Sequence, residues 1–147
     1  MSDFKELLGK RINGIFKNED NTMLSFRTAT GDKIYFVTRG DCCNAVWVNH
    51  ISGVDIIAGE TPFDLLRGAV VTAVEDKGWT GDREDVEGHE YVSDGFYTIT
   101  TDRGYIDIEI RNSHNGYYGG SVDYLDPEDL DRYQTVEYKL YRISEDF

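Results

Sequence analysis

Between Tyr105 and Arg111 every second residue is isoleucine: Ile106, Ile108 and Ile110 alternate with Asp107 and Glu109. A helix repeats about every 3.6 residues and cannot sort such a segment into one dry and one wet face, whereas a strand with one face in a core and the other in water does so directly. The same period of two governs much of the chain. Residues 10–17 carry Ile12 and Phe16, and the turn cluster Asn18-Glu19-Asp20-Asn21 follows. Leu24, Phe26 and Thr28 then alternate with Met23, Ser25 and Arg27, and Thr30-Gly31-Asp32 leads into a strand over 33–38. A second set comprises a strand over 69–75 with Val70, Thr72 and Val74 on one face, a strand over 95–101, the turn Thr101-Asp102-Arg103-Gly104 and the isoleucine strand. Residues 25–37 and 97–109 share a strand–turn–strand grammar, which reads either as a repeated β-meander or as two ordinary hairpins of one size. A last strand is expected over 135–143, where Val136, Tyr138 and Leu140 alternate with Glu137, Lys139 and Tyr141.

Helical signals are short. Asp3 and Gly9 bracket one or two helical turns as N-cap and C-cap. Residues 51–67 predict a short helix or 3₁₀ turn, then Gly59 and a second short helix capped by Thr61 with Pro62 at its first position, and Asp126-Pro127 opens a helical turn to Tyr133. The expectation is an α+β fold, mainly an antiparallel sheet of about seven strands with short helices, forming a single domain over 1–147.

Charge narrows the function. The 147 residues hold 28 acidic and 15 basic side chains, a net charge of −13. Proteins that grip nucleic acid neutralise phosphates with Lys and Arg, so this excess argues against direct nucleic-acid binding and against contact with an anionic membrane. The ten Tyr, seven Phe and two Trp argue against disorder. No apolar run follows Met1, so no signal peptide is expected. The adjacent Cys42 and Cys43 are read as reduced thiols in a cytosolic setting. The carboxylates concentrate in two places, residues 75–94 and 123–131. One reading is a solvated face; the other is a surface received by a basic partner, which would relieve the self-repulsion. Its contacts would be Trp79, Asp82, Glu84, Asp85, Glu87, Tyr91, Asp126, Glu128 and Asp129.

Two further segments are rich in polar and aromatic groups: Arg39 to Ile51, and Asn112 to Ser121. Should they converge, Asp41, Trp47, His50, Asn112, Asn115, Tyr117 and Tyr118 would line a site for a small planar ligand; the competing reading is two tight turns with tyrosines folded onto the sheet. Cys42 or Cys43 with His50 or His114 would be the nucleophile and base of a hydrolase, but nothing in the spacing demands it. Adjacent cysteines lack the bite of a zinc site, and no Asp-x-Asp-x-Asp-Gly calcium loop is present, so no metal or other cofactor is expected.

Gly40-Asp41-Cys42-Cys43, followed by Trp47 and by Ile51-x-Gly53, together with Asn115-Gly116-Tyr117-Tyr118-Gly119-Gly120, resembles an uncharacterised small domain of tailed-phage and prophage accessory proteins. The resemblance runs from the first strand to about Val122. It brings no activity or catalytic residue and implies a non-structural accessory protein acting in the cytoplasm of a bacterial host. The leading expectation is therefore a non-enzymatic acidic inhibitor that blocks a basic, nucleic-acid-handling surface of a host protein, one of defence in particular, with Trp79, Tyr91, Tyr117 and Tyr118 as anchors. A small-ligand or nucleotide-sequestering protein is the alternative, a cysteine hydrolase is third, and self-association into a homo-oligomer is left open.

Overall fold

The alternating segments pair into one antiparallel sheet in a computed structural model that describes residues 3–40, 44–55, 67–81, 83–84, 91–114, 119–126, 128 and 141–143. Its strands are β1 (Arg11–Lys17), β2 (Met23–Thr28), β3 (Lys33–Arg39), β4 (Ala45–Asp55), β5 (Ala69–Trp79), β6 (Arg83–Glu84), β7 (Tyr91–Thr101), β8 (Gly104–His114), β9 (Ser121–Leu125) and β10 (Tyr141–Arg142). They lie in the order β4-β8-β7-β5-β1-β2-β3-β9, with β6 added to β7 and β10 to β1. That order is a palindrome of roles. The meanders β1-β2-β3 and β5-β7-β8 meet at their first strands, where Arg11 faces Val70 and Ile12 faces Ala69. The strand that follows each meander crosses to the other: β4 pairs with β8, and β9 pairs with β3.

The α+β expectation is overturned. The described residues are nearly all strand, and no helix among them reaches seven residues. Asp3–Leu7 is a 3₁₀ segment, and Gly9 after it takes φ +76°, as a C-cap requires. Residues 51–55, expected to open a helix, continue β4, and residues 45–51, expected to be loop, begin it. The reason is a bulge. Val46 and Val48 face the core, the register then shifts between Val48 and His50, and Ile51 rather than His50 returns inward. One extra residue breaks the visible alternation without ending the strand. A similar shift between Asp76 and Trp79 carries β5 past the expected end at residue 75. The predicted helices beyond residue 55, most of the predicted turn over 126–133 and most of the predicted strand over 135–143 lie outside the described residues; Tyr141 and Arg142 do pair with β1.

The inner face of the sheet holds the core. Ile106, Ile108 and Ile110 are fully buried with Ile12, Ile15, Phe26, Phe36 and Ile99. Phe4 fills the space between the meanders: its ring lies 4.6 Å from Phe36, 6.4 Å from Phe26 and 5.3 Å from Tyr97. The sheet also curls until its ends approach. Val48 N–H donates to the Asn21 carbonyl at 2.7 Å, and Thr38 Oγ1 donates to the Val46 carbonyl at 2.7 Å.

The outer faces of the two halves differ. On β2, β3 and β9, Met23, Val37 and Leu125 form a small buried cluster with Tyr35 against it. On β4, β8, β7 and β5 the outer face is open, and Phe96 and Tyr105 are exposed on it.

Candidate functional site

The site lies on that open face. Because β7 and β8 alternate strictly, the residues opposite the core isoleucines project outward: Phe96 stands beside Glu109, and Thr98 beside Asp107. Across β8 the rows continue to His50 and Ser52 of β4. Lys77 joins them from the irregular stretch of β5. His50, Ser52, Lys77, Phe96, Asp107 and Glu109 line a depression of about 370 Å³. A second hollow continues it past Thr98 and Tyr105, sharing Lys77 and Asp107.

Each carboxylate of this groove is held by one neutral donor. Thr98 Oγ1 donates to Asp107 Oδ1 at 2.6 Å, and Asn49 Nδ2 donates to Glu109 Oε2 at 2.8 Å. Among the described residues neither carboxylate has a cation within ion-pair distance. Asp94, on the same face, is the opposite case: its side chain is 6% exposed, Arg111 Nε donates to Oδ1 at 2.9 Å and Arg83 Nη2 donates to Oδ2. One end of the face is thus charge-saturated and the other is a held, unneutralised pair of acids.

The residues singled out from sequence are distributed as follows. Trp79 is half-buried; it packs against the core over Gly95, where any Cβ would enter the indole. Tyr91 is exposed and stacks on buried His114, with ring centroids 6.1 Å apart, and Glu84 faces it across β6 and β7. Asp126 is half-buried and Glu128 exposed. Asp82, Asp85, Glu87 and Asp129 lie outside the described residues, as do Asp41, Cys42, Cys43, Asn115, Tyr117 and Tyr118. His50 lines the groove, and the register puts Trp47 beside Arg111. Asn112 is on the inner side, 1% exposed: it accepts from Asn44 Nδ2 at 2.9 Å and donates to Ser93 Oγ at 3.4 Å. Asn44 also donates to the Gly119 carbonyl at 3.2 Å, so the two polar segments do touch, but Asn112 and His50 serve opposite faces.

Phe96, Lys77, Asp107 and Glu109 escaped the sequence reading as a group. The alternation of residues 105–111 shows that Asp107 and Glu109 face water, but only strand pairing puts Phe96 and His50 on either side of them. Away from the groove, burial raises the Tyr124 hydroxyl pKa above its usual value, helped by the Glu6 and Asp126 carboxylates. Among the described residues no three His, Cys, Asp or Glu side chains gather closely enough to hold a metal ion.

Residues 5–124 match the family described as a domain of unknown function, DUF7448. The chain belongs to the DUF7448 family. No curated protein and no solved structure matches it. The DUF7448 match contains every described residue of the groove and stops short of Asp126, Glu128 and Asp129, so those groove residues belong to the family domain and the three acids lie beyond it. No helix among the described residues is long and apolar enough to cross a membrane.

Proposed function

We propose that this DUF7448 protein is a non-enzymatic binding protein whose acidic sheet face docks on a basic surface of a partner protein. The observation that carries the reading is the groove itself: Asp107 and Glu109 are oriented by Thr98 and Asn49 yet unneutralised, beside exposed Phe96 and Tyr105. Fixed carboxylates beside aromatic surface suit a protein hot spot, and a net charge of −13 speeds encounter with a positive partner. Among the described residues no arginine lines either hollow, which favours a cationic over an anionic partner. The resemblance to phage accessory proteins supports a finer reading: the partner is a host protein, of defence in particular, whose basic surface handles nucleic acid, met in the bacterial cytoplasm.

The test is displacement. The protein is titrated into complexes of labelled DNA with a panel of purified bacterial nucleic-acid-binding proteins, at graded salt. Release of DNA from at least one of them, weakening as salt rises and lost when Asp107 and Glu109 are made Asn and Gln, is expected. No displacement from any, or displacement indifferent to both salt and neutralisation, overturns the reading.

The Asn44 contact with Asn112 and Gly119 favours a second reading, a small-ligand site between the two polar segments. A nucleotide or other planar ligand bound there would raise the melting temperature by mass action, and a flat thermal-shift panel would remove it.

A further inference from the structure

Resting on the reading above, we infer that the groove between Phe96, Asp107 and Glu109 is a receptor for a single arginine side chain of the partner. The three groups are adjacent in register: Phe96 faces Glu109 directly, and Asp107 follows two residues earlier on the same face of β8. Side chains two apart on a strand repeat about every 6.5–7 Å, a span that a long planar donor bridges and a point charge does not. Hydrogen bonds from Thr98 to Asp107 Oδ1 and from Asn49 to Glu109 Oε2 hold the two carboxylates in place, leaving Oδ2 and Oε1 as acceptors. Exposed Phe96, 37% accessible, supplies a ring beside them.

A guanidinium meets all three demands together. Its plane stacks on an aromatic ring and its forked N–H groups donate to carboxylates, while the electron-rich ring face attracts the charge. An ammonium would keep the Coulomb attraction and lose the stacking and the fork. The molecule uses the two halves of this chemistry separately: Arg111 and Arg83 pair with Asp94 of the same face, and the Arg27 guanidinium lies 4.3 Å over the Phe16 ring. Lys77 shares the groove without an ion pair to either acid among the described residues. It sets the polarity limit of the site: one resident cation against two carboxylates leaves the charge of one incoming side chain to be matched.

The test compares labelled tetra-arginine and tetra-lysine peptides, binding to the intact protein followed by fluorescence anisotropy and by backbone amide shifts. The arginine peptide is expected to bind about two- to fivefold more tightly, the scale of an exposed cation–π contact, with the largest shifts at Phe96, Asp107 and Glu109. Phe96→Leu, at an exposed position, should weaken the arginine peptide more than the lysine peptide and so narrow the preference; D107N with E109Q should weaken both peptides. Equal, salt-sensitive binding of both peptides with no dependence on Phe96 overturns the arginine receptor and leaves the wider acidic-face reading standing. Binding of neither peptide overturns both.

Discussion

Asp94 and Asp107 project from the same sheet face under opposite conditions, and the difference separates an acid tied into the fold from the one proposed to meet a partner. Asp94 is buried between Arg83 and Arg111, so Asp94→Ala strips partners from two guanidinium groups and should lower stability by about 1–3 kcal/mol in urea unfolding. Asp107 bonds only a neutral hydroxyl among the described residues, with no ion pair to the Lys77 that shares its groove. Asp107→Asn should therefore change stability by no more than about 0.5 kcal/mol while weakening partner binding; a large loss of stability would mark Asp107 as structural. Phe4 represents the other extreme. It joins the aromatic rings of both meanders, so Phe4→Ala should cost about 3–5 kcal/mol by the same measurement. Tyr124 adds a pH dependence. Burial, with Glu6 and Asp126, keeps its hydroxyl protonated to higher pH in the folded chain than in the unfolded one. That contribution to stability is complete below about pH 10, the ordinary phenol value, and is lost as pH rises through the higher folded value. Tyr124→Phe should flatten the alkaline limb of the stability profile, and an unchanged limb would contradict the assignment.

At the scale of elements, bulges decide both the shape and what a sequence reader can see. The alternation in β8 runs unbroken for its whole length and is legible at once; Tyr105, Asp107 and Glu109 outward and Ile106, Ile108 and Ile110 inward follow from period two alone. β4 is equally long, but the shift at Val48–His50 reverses its parity, and Ile51, Gly53 and Val54 then resemble the start of a helix. β5 ends in Asp76, Lys77 and Gly78, a loop by composition, and remains strand because Trp79 must return to cover Gly95. β9 was hidden for another reason: it stands among carboxylates, and the Arg39–Asp123 ion pair that accompanies its pairing with β3 joins residues far apart in the chain. The site was half legible for the same cause. Period two tells which residues face water, but not which strand lies alongside, so Phe96, His50 and Lys77 could not be joined to Asp107 and Glu109. The Trp79–Gly95 contact offers an element-level test. Gly95→Ala should destabilise by about 1–3 kcal/mol, and Trp79→Leu in the same chain should recover part of that loss, as expected of residues that share one space.

At the scale of the molecule, the palindromic order means that neither half completes its own sheet: β4 needs β8, and β9 needs β3. Fragments cut between residues 60 and 61 should each fail to form stable sheet alone and should regain it when mixed, by circular dichroism; a fragment that folds by itself would contradict the exchange. The two halves share a plan but not a surface, for the outer face of one carries the buried cluster Met23, Val37 and Leu125, while the outer face of the other carries exposed Phe96 and Tyr105 beside Asp107 and Glu109. The proposed docking face is the open, acidic one. The most direct measurement is the affinity of the tetra-arginine peptide for the native chain and for the D107N/E109Q chain across a salt series. Because exposed charges are screened as ionic strength rises, the account predicts a steep decline of affinity with salt in the native chain and a much shallower one in the neutralised chain. Identical salt dependence in the two would contradict it.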